Sequence, residues 1–194
     1  AAVEDYTEAI HLEPGNAFAY YNRGISNDRR GYYEKAHGDF SAAINILPDN
    51  ADFFHNRAFC LRKLNRLTEA ITDYGQCLAL QPDHFKALHN RAYCLERLND
   101  LEGAISDYSR ALDMEPRHVA SLSARAVVYE RLEVNDMAFH DYEKALQYVH
   151  ESNANTNTKD TGSNLIKNTR SELHLLVSIA RLLSKAGDID EANI

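Results

Sequence analysis

His55 and His89 stand 34 residues apart, and so do Cys60 and Cys94. Imidazoles and thiolates are the side chains best suited to metal binding or nucleophilic attack, and their spacing decides whether they do either. A metal site needs several ligands converging on one point. Ligands supplied one per stacked structural unit sit too far apart to share an ion. Cys77 brings the cysteines to three, an odd number without the close pairing of a redox or metal motif. They read as free, buried thiols in a reducing compartment, which points to a cytoplasmic chain. No glycine-rich phosphate loop, zinc-binding helix motif or nucleophile–base set is present. The expectation is a protein without metal, cofactor or catalytic residues, and so not an enzyme.

A second ionisable set recurs at the same interval. Arginines stand at Arg23, Arg57, Arg91 and Arg125, and aspartates at Asp5, Asp39, Asp73, Asp107 and Asp141. A guanidinium fork matches a carboxylate through two parallel hydrogen bonds. The economical reading is a structural ladder of Arg–Asp pairs between helices, each arginine flanked by an aspartate one helix earlier and one helix later. Such pairs fix register more than they add stability.

The elements that position these side chains follow the same count. The four prolines, Pro14, Pro48, Pro82 and Pro116, are each 34 residues apart. In units starting at Ala17, Ala51, Phe85 and Val119, the fourth position is large and apolar: Tyr20, Phe54, Leu88 and Leu122. The eighth is small (Gly24, Ala58, Ala92, Ala126) and the twentieth is alanine (Ala36, Ala70, Ala104, Ala138). The twenty-fourth is aromatic (Phe40, Tyr74, Tyr108, Tyr142), and the twenty-seventh is small again (Ala43, Cys77, Ala111, Ala145). Apolar residues recurring every three to four positions predict two amphipathic helices per unit, split by the turn formers Gly31, Asn65 or Asn99. Small residues let the two helices approach closely, and the aromatic fills the space beside them. A single such hairpin cannot bury its apolar face, so neighbours must stack on it.

This pattern resembles the tetratricopeptide repeat in four consecutive registers. The resemblance implies an all-α fold, a right-handed superhelical solenoid of antiparallel helix-turn-helix hairpins. The expected units are the second helix of a truncated repeat at 1–16, then repeats at 17–50, 51–84, 85–118 and 119–149. A disordered polar insertion is expected at 150–164, followed by a partial further repeat at 165–194, where Leu176, Ala180, Leu183 and Gly187 re-enter the pattern. Starting and stopping within hairpins reads as an excerpt of a longer protein.

Proteins of this family line a concave groove with their first helices. The groove residues that follow are Tyr21, His55 and His89 at the fifth position, and Asn22, Asn56 and Asn90 at the sixth. Phe59 and Tyr93 stand at the ninth, Lys86 at the second, and Lys63, Arg97 and Arg131 at the thirteenth. An asparagine amide can hold a peptide backbone through both donor and acceptor, and aromatic neighbours add apolar area. First-helix segments 17–30, 51–64, 85–98 and 119–132 carry +2, +2, +2 and +1, although the chain as a whole carries −8. A weakly basic groove fits an acidic or phosphorylated partner segment, while the acidic balance argues against nucleic acid. No apolar run reaches membrane-spanning length, so no membrane insertion is expected.

Relatives that hold a chaperone's C-terminal carboxylate use lysine at the fifth and asparagine at the ninth position of one repeat. Tyr21, His55, His89 and Ser123 occupy the fifth positions here, and Ile25, Phe59, Tyr93 and Val127 the ninth. That clamp is not assembled, which argues against a chaperone tail. The reading is a protein-interaction scaffold binding a peptide or helical segment. Its alternatives are the regulatory or targeting array of a larger enzyme and a structural component of a ciliary or cytoskeletal assembly.

Overall fold

The computed structural model describes residues 2–155 and 172–184, and every regular element among them is an α-helix. In chain order these are α1 (Ala2–Leu12), α2 (Ala17–Arg29), α3 (Tyr33–Ile46), α4 (Ala51–Lys63) and α5 (Leu67–Leu80). They are followed by α6 (Phe85–Arg97), α7 (Leu101–Met114), α8 (Val119–Arg131), α9 (Asn135–Asn155) and α10 at 172–184. The chain forms two compact units, Ala1–Asp107 and Tyr108–Ile194.

Within the first unit each helix packs on the next through α6, and the odd-numbered gap is bridged too: α2 touches α4, and α4 touches α6. The hairpin α2–α3 shows how the sequence does this. Asn16 caps α2, its Oδ1 accepting from the Ala19 amide at 3.0 Å. Gly31 then takes φ +78°, letting Tyr32 N–H reach back to Asn27 at 2.9 Å and Gly31 N–H to Asp28 at 2.8 Å. This pair of bonds satisfies carbonyls the helix leaves open. The motif recurs with Asn65, Asn99 and Glu133 in left-handed conformations. The sequence marks three of these four turns by residue type. Glu133 gives no such signal, because glutamate is not a turn former.

Second helices stop one residue before the residue that precedes proline, at Leu12, Ile46, Leu80 and Met114. Position 150 is histidine, and α9 there continues to Asn155. The insertion expected from residue 150 therefore starts as helix through Asn155, because nothing at 150 removes a backbone donor. The remainder, 156–164, lies outside the described residues.

The core is the small–aromatic set. Ala58, Ala92 and Ala126, the four alanines at the twentieth position, and Phe40, Tyr74, Tyr108 and Tyr142 are all completely buried. In the second unit Leu175 and Leu182 of α10 join Tyr142, Ala145 and Val149 in one cluster. Leu176 and Leu183 stay 45% and 57% exposed on the other side of α10. That side corresponds to the one covered by a second helix in the preceding hairpins. The second helix expected there would lie at 185–194, outside the described residues.

Gly24 is the exception at the eighth position. A Cβ built there would lie 2.7 Å from Phe40 Cε1 and 3.0 Å from Cδ1 and Cζ. The Phe40 ring occupies the space that a methyl group at position 24 would need. Gly24→Ala, although it restores the residue seen in three repeats and favours helix, should destabilise by about 1–3 kcal/mol through overpacking. Thermal unfolding checks this; a raised melting temperature would show that Phe40 yields at no cost.

Candidate functional site

Two faces carry polar side chains in step with the repeat. On the first, the arginine at the seventh position forks onto the aspartate of its own hairpin. Arg57 Nε and Nη2 donate to Asp73 at 2.6 and 2.7 Å, Arg91 to Asp107 at 2.6 and 2.8 Å, and Arg125 to Asp141 at 2.7 and 2.8 Å. Arg23 Nη2 lies 2.6 Å from Asp39, whose other oxygen accepts from Asn27 Nδ2 at 2.9 Å. The four carboxylates are buried, while the arginines stay partly open. The forked contacts hold Arg91 and Arg125 above the ordinary arginine pKa.

The preceding helix does not supply an aspartate to this fork, as the sequence spacing implied. It supplies a hydroxyl. Arg23 Nη1 donates to Thr7 at 3.2 Å, Arg57 Nη1 to Ser41 at 3.3 Å, and Arg125 Nη1 to Ser109 at 2.9 Å. Asp39 and Asp107, two residues before Ser41 and Ser109, are spent on their own hairpins' arginines, Arg23 and Arg91. Each complete rung thus ties three consecutive helices together. At Arg91 the corresponding residue is Gly75, and a Cβ there would meet only Arg91 Nη1, at 3.8 Å. Gly75→Ser should supply the missing hydroxyl and also raise helix propensity, stabilising by about 1 kcal/mol. Paired with Arg91→Met, the gain should shrink to the propensity part in a double-mutant cycle of unfolding free energies.

The second face belongs to the first helices α2, α4 and α6, and the sequence candidates behave unequally there. Tyr21 packs in tilted contact with Phe40 and Phe53, with ring centroids 5.7 and 4.9 Å away, and its hydroxyl accepts from Asn56 Nδ2 at 3.1 Å. Burial raises the Tyr21 pKa. Asn56 Nδ2 also donates to the Asp52 carbonyl at 2.7 Å. Its donor is therefore committed inside the protein, and Asn56 offers a ligand Oδ1 rather than a donor–acceptor pair. Asn22 is exposed and Asn90 half-buried. Lys63, Lys86 and Arg97 are exposed, and Phe59, Tyr93 and His89 are half-buried. Arg131 lies exposed near the end of α8 in the second unit.

His55 turns inward. Its ring lies 4.7 Å from that of His84 and 5.9 Å from that of the buried Tyr74, with Nε2 buried and unpartnered. Burial first, then the His84 ring, push its pKa from 6.5 down to about 4. An imidazole neutral in the folded chain and protonated in the unfolded one makes stability fall as pH drops from about 6.5 towards about 4. His55→Leu should flatten that slope, by up to one proton, in urea unfolding across this pH window. An unchanged slope would place the titration elsewhere.

The twelfth position was overlooked in the sequence, although it is ionisable in every unit: Asp28, Arg62, Glu96 and Glu130. In the second and fourth units it lies beside the aromatic of the second helix. Tyr142 O–H donates to Glu130 Oε2 at 3.1 Å, and Arg181 pairs with the same carboxylate at 2.8 Å. Arg62 instead packs against two rings, its guanidinium carbon 4.9 Å from the Phe59 centroid and 5.2 Å from that of Tyr93. Lys63 lies 5.3 Å from the Phe59 ring, and Arg97 donates to the Tyr93 hydroxyl at 3.0 Å. The cysteines are free and buried, and burial pushes Cys60 and Cys77 up to about 12 and Cys94 to about 11, so none is a thiolate nucleophile. Among the described residues no three His, Cys, Asp or Glu side chains are grouped to hold a metal, and no helix is long and apolar enough to cross a membrane.

Residues 61–116 match the family model described as tetratricopeptide repeat. The repeats within that stretch are similar to tetratricopeptide repeats. No curated protein sequence matches the chain. Among solved structures, MamA superposes with a TM-score of 0.76 at 15% identity, covering 78% of this chain and 89% of MamA. YrrB, a tetratricopeptide-repeat protein with an unusual peptide-binding site, gives 0.70 at 23% identity, covering 75% of each chain. The first such domain of Spaghetti (RPAP3), solved with the HSP90 peptide SRMEEVD, gives 0.59 at 25% identity over 60% of this chain and 93% of that one.

Proposed function

We propose that the α2–α4–α6 face is a non-catalytic binding surface for an extended or helical segment of a partner protein. The observation that carries this reading is the polar and aromatic row along adjacent first helices. Asn22, Asn56 Oδ1 and Asn90 provide groups for a backbone, while Phe59 and Tyr93 provide half-buried rings for apolar anchoring. YrrB, with its unusual peptide-binding site, and the RPAP3 domain bound to an HSP90 peptide are both similar to this chain in fold. Exposed Lys63, Lys86 and Arg97 on a chain of net charge −8 favour an acidic or phosphorylated segment. A carboxyl-terminal tail held by a lysine–asparagine clamp does not fit, because the fifth and ninth positions lack those residues.

The test is capture of partners by the full chain, with cross-link mapping, against the double variant Asn56→Ala/Asn90→Ala. Partners should cross-link to α2, α4 and α6, and the double variant should lose them while still melting cooperatively. Partners that survive the double substitution and cross-link to second helices would instead assign docking to another face.

A further inference from the structure

The twelfth position breaks its own rule in the second repeat. Asp28, Glu96 and Glu130 are acidic, and in the fourth repeat the glutamate accepts the hydroxyl proton of the buried tyrosine behind it, Tyr142. Arg62 replaces that acid in the second repeat. Three buried polar atoms of this repeat are left without hydrogen-bond partners, His55 Nε2, Arg62 Nε and the hydroxyl of Tyr74, which is completely buried. Buried polar groups are almost always satisfied; the Tyr74 oxygen can accept one N–H of the Arg62 guanidinium beside it, and the other N–H groups of that guanidinium call for a further acceptor.

The surroundings define the charge of that acceptor. Arg62 and Lys63 both lie over the Phe59 ring, and Arg62 and Arg97 both lie near that of Tyr93. Among the described residues none of the three cations has a carboxylate within ion-pair distance, whereas Arg57, Arg66 and Arg91 all do. Asp28 and Glu96 occupy the same position in the flanking repeats. Asp28 is engaged by the Cys60 thiol at 3.9 Å and feels the Lys63 charge without forming an ion pair with it.

We infer that Arg62, flanked by Phe59 and Tyr93 and assisted by Lys63 and Arg97, is an oxyanion subsite that receives one carboxylate or phosphate side chain of the bound segment. This deepens the peptide-binding reading and rests on it for the source of the anion. The rings exclude water from the guanidinium and hold it in place, which strengthens charge-assisted hydrogen bonds to an incoming oxyanion. The site differs from a carboxyl-terminus clamp, whose positions are filled otherwise here. It would select the segment by an internal acidic residue.

The experiment follows the Arg62 Nε–Hε resonance of the isotope-labelled chain during titration with N-acetyl, C-amide derivatives of phosphoserine, glutamate and serine. Phosphoserine and glutamate should move it saturably and serine should not. Tighter binding of phosphoserine assigns a phosphorylated segment, and tighter binding of glutamate an acidic one. Arg62→Glu should weaken both by at least about tenfold, the scale of one charge-assisted contact. It should keep or raise the melting temperature, because the new carboxylate gives Tyr74 the acceptor that Tyr142 already has. Arg62→Gln should weaken binding likewise and serves should the glutamate variant fail to fold. A resonance that ignores both anions, or answers serine equally, overturns the subsite. These ligands are too short to use the asparagine row. A flat titration beside capture lost in the Asn56→Ala/Asn90→Ala variant therefore removes the subsite alone. A positive titration beside capture that survives that variant removes the backbone-binding reading alone.

Discussion

The fold depends on how closely two helices of a hairpin can approach. At the eighth and twentieth positions nothing larger than a methyl group separates them, and the ring at the twenty-fourth position closes the remaining space with no solvent exposure at all. Interiors packed to this density respond to a single methylene, because dispersion contacts vanish over fractions of an ångström. Gly24 and Phe40 illustrate the coupling: where the small residue has no methyl, the ring edge occupies the space one would need. A hairpin built this way still leaves one apolar side uncovered, which is why the next helix along the chain must pack against it.

Close packing alone would leave the stack free to slide. The forks at the seventh position add direction, since a guanidinium can meet its carboxylate in few orientations. Their buried aspartates are costly to desolvate, so the pairs contribute specificity more than net stability. The hydroxyls of Thr7, Ser41 and Ser109 extend the constraint backward by one helix, so neighbouring hairpins share a register as well as a core. Gly75 interrupts that continuity at one rung.

Much of this was legible because it repeats. The small, aromatic and proline positions carry the hairpin geometry in their residue types, and the Arg–Asp pairs announce themselves by a common period. Residues whose role depends on a neighbour's shape were not legible. His55 sits at a position shared with Tyr21 and His89, yet its ring packs against Tyr74 and His84, which no pattern in α4 reveals. Asn56 looked like a bidentate peptide ligand, but its donor is committed to Tyr21 one repeat away. Glu133 adopts a left-handed conformation because the turn requires it, against its own preference. The hydroxyl rungs escaped notice because threonine, serine and glycine alternate at that position without a shared side-chain type.

Each unit of a stack packs on its neighbours, so side chains that meet the same partners in every unit serve that packing. By that criterion the ladder and the small–aromatic core belong to folding. The first-helix face differs from unit to unit, and its largest chemical departure is the exchange of an acid for Arg62. The exchange inverts the charge beside a buried tyrosine hydroxyl and removes an internal acceptor without replacing it. A stack selected for stability alone would keep the acid, since the fourth repeat shows that glutamate satisfies the hydroxyl from the same position. Retaining arginine there leaves a hydrogen-bonding deficit of the kind an anionic ligand can relieve. On the proposed reading, that deficit, set among the half-buried Phe59 and Tyr93, is what the anion of the bound segment relieves.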